Sequence, residues 1–588
     1  MIPTLPQNDT APDARALALA ASRAEVDFDR SRGGMCLPDR VPPAQAFTRE
    51  WAFQAVLLGE EAEALDAAGA LRVALDGPDL PEEKEIALAK AVDQAIMQRQ
   101  IKPVCPPFRA LPPTARTPLT IAEHALLFGE LPLTEGVARW NEDAYFAWQR
   151  IGCDNPGVIR LVTPEDWTAL ASKMPLDPLV FERVRPGDTL DRAVDEHRLF
   201  VCDHVICDGI DAGFHGGWRR WLPAAIALFA TDAERRQLWP VAIQCGQVPN
   251  DTCPILTPLD GVAWTMAKAA FNATDSTYHG VSEHGALCHL MLGAISVATM
   301  RTLAPYHPVR ILLRPHLDMT LAIAAATAEL YVPGGRTPTL QSISVDGICE
   351  LTRRTWKHFD WYNGTLERNF GSRGLGGTDV LRELPARDDL ALYTDAIRRF
   401  ATSYTTIYYA RDSDVVGDTE LQEWVRVIRS PEGADIPTFT GPKETVSTVA
   451  ELADLLAGVI WRASPWHCII NYAVYETTAF APAYPASLFA PPPRKGQSYV
   501  ESDLLYMLPP ESVVRGLFVD LVQVSSLREN RLGHYTPETF TDYRVHGLLD
   551  RLRLDLSGIA RRISERNRFR PIPFPFLEPD LTTASTHI

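Results

Sequence analysis

The chain has 588 residues, 46% hydrophobic and 22% charged, which is enough apolar material for a large core. Its formal charge of −17 excludes a surface built for polyanions, because nucleic-acid binding leans on basic patches. The ten cysteines carry no repeating spacing, which excludes a disulfide-stapled scaffold, and no run of about 18 uninterrupted apolar residues predicts a membrane-spanning helix.

The opening residues are polar, with neither a basic n-region nor an apolar core, so they do not read as a secretory signal. A soluble, cytoplasmic protein is the expectation. Residues 1–40, rich in Pro, Asp and Asn with a glycine pair at Gly33, read as mobile. From Pro42 to Arg99, apolar residues recur at three- and four-residue spacing and predict helices. Residues 1–115 therefore read as an N-terminal helical region, and 116–588 as a second, larger domain. The proline-rich run 103–118 between them lacks the backbone donors of regular structure.

Beyond that point helical periodicity dominates, over 261–304, 320–332, 388–409, 418–430, 448–464 and 544–565. Strand-like pieces are few: 198–207, 240–245 and 342–349. The fold class read from this pattern is mainly α with a few short β-strands. The cluster "VCDHVICDG" places Cys202, His204 and Cys207 close together but lacks the second half of a zinc site. It reads as a strand with buried thiols. The last twenty residues, "FRPIPFPFLEPDLTTASTHI", are apolar and proline-rich, and such tails are disordered unless something ties them down.

Two segments carry polar residues that a core must account for. "STYHGVSEHGALCHL" spaces His279, His284 and His289 five apart within a helical pattern. At about 100° per residue, five steps turn a side chain by roughly 140°, onto another face. Either the histidines do not act together or the helix is deformed. Downstream, "WRASPWHCIINYAVYE" sets His467 and Asn471 four apart, on one face of a helix and among apolar neighbours. A buried His bonded to a buried Asn would satisfy that pair equally well.

Taken together, these segments and their flanks resemble the signature of lipoxygenases. The family pattern runs Trp-x-x-Ala-Lys, Asp, then His-x4-His-x4-His, His-Pro, Leu-Leu and Pro-His. Here it falls on Trp264, Ala267, Lys268, Asp275, the three histidines, His307-Pro308, Leu312-Leu313 and Pro315-His316. The downstream His-x3-Asn falls on His467 and Asn471, and the sequence ends on an isoleucine, Ile588, as in the family. The likeness extends over roughly 138–588.

The resemblance implies a helical catalytic domain whose long central helix carries a π-type turn. Such a turn brings residues five apart nearly into line. It also implies one non-haem iron, with manganese as the alternative, held by His279, His284, His467, Asn471 and the carboxylate of Ile588. His289 is then expected to pack beside the ligands and support them. The implied reaction inserts O2 into a polyunsaturated fatty acid bearing a cis,cis-1,4-pentadiene. It proceeds by hydrogen-atom abstraction at a ferric hydroxide, with no separate protein base. Other readings of the same residues are a hydroperoxide isomerase on the same iron, a metal-free fatty-acid-binding relic and a metallohydrolase.

Two departures stand out. The usual Ile-Asn-x-x-Ala-Arg is replaced by "AIAAATAEL", which moves the family's small pocket residue to Ala326 or Thr327, with Leu330 as the pocket leucine. Residues 1–115 also lack the strand alternation of the lipid-binding β-sandwich found in many members. The chain thus resembles the compact, bacterial type. Any peripheral membrane contact would come from the N-terminal helices, and no obligatory protein partner is implied.

Overall fold

The computed structural model describes residues 3–49, 51, 54–55, 118–129, 131–333 and 335–588. Most of the predicted helices between Pro42 and Arg99, and the boundary near residue 115, lie outside the described residues. The molecule is organised around one long helix, Val262–Thr302, whose residues are almost all buried. Among the described residues it alone is long and apolar enough to cross a membrane, but its apolar faces are covered by protein on every side.

Thr320–Leu330 and Thr419–Arg429 pack on this axis, and Pro385–Tyr408 packs against Val449–Trp461 and Tyr543–Asn567 beside it, all close to the segments predicted as helices. Several begin where the sequence supplies a cap. Thr448 and Glu451 form a reciprocal capping box, and Asp418 accepts from the Leu421 amide.

A five-stranded antiparallel sheet flanks the helices in the order Arg160–Leu161, Leu199–Asp203, Ile226–Thr231, Leu238–Gln244, Ile255–Leu256. Phe200, Ala227, Phe229 and Ile243 join the main core. Leu199, Val201, Ile226 and Leu228 face a smaller cluster with Phe181 and Leu190. Both faces are buried, so the strand Ile226–Thr231 shows no polar alternation, and the sequence pattern does not reveal it. Pro240, which lacks an amide donor, sits where the register shifts between Leu228 and Phe229. Cys202 and Cys207 are buried free thiols, as the strand reading implied.

Two expectations are corrected. Residues 342–349 are not a strand: a helix spans Val345–His358, started by Ser344, whose side chain accepts from the Gly347 amide. Its β-branched start hid an amphipathic pattern that buries Ile348, Leu351, Thr352 and Thr355. Residues 3–45 do not hang free either. Pro12–Glu25 is a helix docked on the end of the central axis. Ser22 Oγ donates to Met300 O at 2.7 Å, and Arg15 makes a two-armed bond to the Glu420 carboxylate at 2.5 and 2.9 Å. The helix buries two polar side chains, Arg15 and Ser22, while Asn8 and Asp13 stay at the surface.

The C-terminal tail is also tied down. Phe574 and Leu577 are fully buried, Tyr393 donates to Leu577 O at 2.7 Å, and Leu532 N bonds Thr582 O at 3.0 Å. The tail ends inside the molecule, against the middle of the central helix.

Candidate metal centre

The middle of the central helix is π-helical over His279–Leu290, flanked on both sides by regular α-helix. A π turn leaves carbonyls poorly paired within the helix, and neighbouring elements supply donors here. Gln341 donates to Ser276 O at 3.2 Å, Tyr331 to Gly280 O at 3.4 Å, and Arg462 to Leu287 O at 3.1 Å. The glycines of the segment serve close approach. A Cβ on Gly285 would lie 1.8 Å from the Tyr331 hydroxyl, and one on Gly280 would lie 2.3 Å from the Gln341 amide.

A second π segment, Arg462–Trp466, contains Pro465 and runs directly into the short helix His467–Tyr472. Glu283 joins the two deformed segments. Its carboxylate accepts from Arg462 at 2.7 Å and from the Trp466 indole at 2.8 Å. It therefore faces away from the histidines and offers no base beside them, which removes the support a metallohydrolase reading needed.

Three histidines converge. The Nε2 atoms of His284 and His289 lie 2.9 Å apart, and candidate ligand atoms of His284, His289 and His467 all fall within 4.8 Å of one another. His467 Nε2 is 3.1 Å from the backbone oxygen of Ile588. Asn471, on the same helix face as His467, is fully buried. Its Nδ2 donates to Val524 O at 2.8 Å, which fixes the amide and leaves Oδ1 without a partner.

The side chains brought together differ from the expected set. His279 does not join the cluster: its Nε2 donates to Ile470 O at 2.8 Å, and its Nδ1 lies 3.8 Å from the buried Asp154. His289, expected as the supporting residue, takes its place. A π segment long enough to align 279 with 284 aligns 284 with 289 as well, so the spacing fits both pairs; His467 lies beside the second pair.

The electrostatics suit a cation. Burial pushes His284 and His467 well below the usual histidine range, reinforced by neighbouring imidazoles, and pushes His289 down to about 3. Each is therefore a neutral imidazole, which carries one ring N–H and keeps one lone pair that a metal can use. Three convergent imidazoles, with a buried unpartnered amide oxygen on the His467 helix and a backbone oxygen beside His467, are donors of the N/O kind that fits iron or manganese.

Behind the centre, Asp275 accepts from Arg150, from Asn155 at 2.7 Å and from Tyr484 at 2.7 Å, and lies 3.0 Å from His204 Nε2. Burial alone would raise this carboxyl, but the Arg150 charge and the hydrogen bonds overcome it and hold the group well below the usual carboxylate range. The network anchors Cys153–Asn155 and the strand end at His204 to the central helix.

A cavity of about 460 Å³ opens onto the histidines. Its wall includes Leu340, Val474, Leu517 and Leu521, and the expected pocket residues Ala326, Thr327 and Leu330 all line it. The volume falls in the range of small-molecule pockets. Sequence reasoning missed Phe47 and Trp51, stacked at 3.7 Å, which line the same cavity from the N-terminal segment. No short motif marks them.

The family model described as Lipoxygenase matches residues 132–570. A linoleate 9/13-lipoxygenase of Pseudomonas aeruginosa is 32% identical over 485 residues, covering 79% of this chain and 69% of that protein. A hydroperoxide isomerase of Mus musculus is 28% identical, covering 76% and 62%. Among solved structures, the manganese lipoxygenase of Gaeumannomyces graminis superposes with a TM-score of 0.74 at 21% identity, covering 100% of both chains.

Proposed function

The chain belongs to the lipoxygenase family, and from that premise we propose that it is a fatty-acid dioxygenase, adding O2 to a polyunsaturated acid with a cis,cis-1,4-pentadiene to give the hydroperoxide. The observation that carries this reading is that His284 and His289, two of the convergent histidines, line a largely apolar cavity. In it, His284, His289, His467, Asn471 and the Ile588 carboxylate would hold the metal. Iron or manganese, when bound, supplies a one-electron redox couple.

The chain's own residues do the rest. Apolar walls take up the hydrocarbon and exclude water, and Leu330, Ala326 and Thr327 shape the segment of the cavity fed by the helix Thr320–Leu330. Buried neutral imidazoles keep their lone pairs available, and Val524 aims the Asn471 carbonyl. The Asn and Arg of the usual pocket motif are missing from "AIAAATAEL", so that wall lacks their polar contribution and shape is left to set the regiochemistry.

A second reading is a hydroperoxide isomerase, favoured by the likeness to the murine enzyme of that activity. The purified, metal-loaded protein is given linoleate and, separately, linoleate hydroperoxide. Oxygen uptake with a rising conjugated-diene absorbance is the expected result with linoleate. Consumption of the hydroperoxide without oxygen uptake from linoleate would replace the dioxygenase reading with the isomerase.

A further inference from the structure

The last peptide of the tail is held from an unexpected direction. Trp51 Nε1 donates to the carbonyl of His587 at 3.0 Å, one residue before Ile588. Trp51 is buried, stacked on Phe47 with the rings 8° from parallel, and both rings line the fatty-acid cavity. From the other side, the His587 ring accepts from the Glu529 amide at 2.9 Å, and His467 Nε2 sits 3.1 Å from the Ile588 oxygen. The peptide joining His587 to Ile588 is thus pinned at its carbonyl, and the peptide plane fixes how the terminal group leaves it.

Rotation about the His587 Cα–C bond is what would swing the whole of Ile588 away from the histidines. A bond at the His587 carbonyl opposes that rotation and leaves only the torsions of Ile588 itself. The hydrophobic burial of Trp51 needs only a ring of its size. The N–H has one partner, and that partner is the tail.

We propose that Trp51 is a positioning residue for the metal centre, its indole N–H orienting the terminal peptide so that the Ile588 carboxylate faces His284, His289 and His467. The inference rests on the metal assignment of the proposed function. It also ties the wall of the substrate cavity to a metal ligand through one side chain, so the N-terminal segment completes a centre otherwise built by residues 284–588.

The test reads metal retention in the purified holoprotein as the rate of metal loss to an excess of chelator. Metal content per chain and thermal unfolding are recorded alongside. Trp51→Phe keeps an aromatic wall and removes the donor; it is expected to lose metal about fivefold faster than wild type, the equivalent of one ordinary hydrogen bond. Phe47→Leu alters the stacking alone and is expected to lose metal at the wild-type rate. Trp51→His restores a ring N–H and is expected to be slower than Trp51→Phe; it carries the test if the Phe variant does not fold. A Phe variant at the wild-type rate, a Phe47→Leu variant as fast as Trp51→Phe, or a His variant with no recovery overturns the inference. Wild-type protein that takes up neither iron nor manganese removes the functional reading and this inference with it.

Discussion

His279 and His289 stand on the same stripe of the same helix and differ in what their Nε2 atoms meet. For His279 it is the carbonyl of Ile470; for His289 it is His284, with the His467 ring centred 5.3 Å away. The Ile470 carbonyl lies near the end of the short helix that presents Asn471, where intrahelical donors run out. His279 therefore steadies the Asn471 helix from outside the donor set. Replacing each by Gln separates the two roles. His289→Gln is expected to purify with most of its metal missing. His279→Gln is expected to keep its metal while losing about 1–3 kcal/mol of stability from the disturbed buried bond. Metal analysis and urea unfolding of both variants decide it, and equal metal loss in the two would restore the original assignment. That a histidine cluster exists here was legible in the sequence. Which two of the three belong to it was not, because the deciding partner comes from a segment nearly 180 residues away.

At the scale of elements, the π segment persists because three neighbours accommodate it and one of its own residues anchors it. Gln341, Tyr331 and Arg462 serve its carbonyls, and Glu283 clamps it to the second π segment. Gly285 is where Tyr331 comes closest. Gly285→Ala is expected to destabilise the protein by roughly 1–3 kcal/mol, since the added methyl overlaps the Tyr331 hydroxyl. Tyr331→Phe added to it should recover part of that loss, because the atom 1.8 Å from the new Cβ disappears while the ring carbon at 3.0 Å remains. Thermal unfolding of the two single variants and the double variant measures the coupling; strict additivity would mean that the glycine is there for another reason. Local pattern revealed Pro385–Tyr408, Thr419–Arg429 and Tyr543–Asn567 because each has a polar face to set against its apolar one, and the central helix by its length. It failed at Ile226–Thr231, buried on both sides, and at Pro12–Glu25, where Arg15 and Ser22 turn inward to partners that no local window contains.

At the scale of the whole molecule, the buried histidines set the response to acid. His124 is buried against Phe480 and pushed down to about 3 by burial alone. Its unfolded value is near 6.5. Below that pH the unfolded chain binds a proton that the folded chain refuses, so stability is full above about pH 6.5 and falls as the pH drops towards 3. His124→Leu removes one such group. The difference in unfolding free energy between pH 7 and pH 4.5 is expected to shrink relative to wild type, and an unchanged difference would show that His124 does not titrate in this way.

The tail carries the same logic of distant partners to its end. Residues 582–587 are buried, and His316 Nδ1 donates to Ala584 O at 3.0 Å. Ser464, immediately before the proline–tryptophan pair that leads into His467, donates to Thr583 O at 2.5 Å. Ile588 itself is only 8% exposed. One glycine added after Ile588 would have to occupy the space that the histidines and Asn471 surround, or push the tail back against these bonds. It would also convert the Ile588 carboxylate into a neutral amide carbonyl. A carboxylate bonds a metal ion by charge as well as by its lone pairs, so either response weakens the donor set. The extended protein is expected to fold with a melting temperature close to that of metal-free wild type and to bind little iron or manganese. Full metal occupancy in it would mean that the Ile588 carboxylate is not a ligand, leaving the three histidines and Asn471 to hold the ion by themselves.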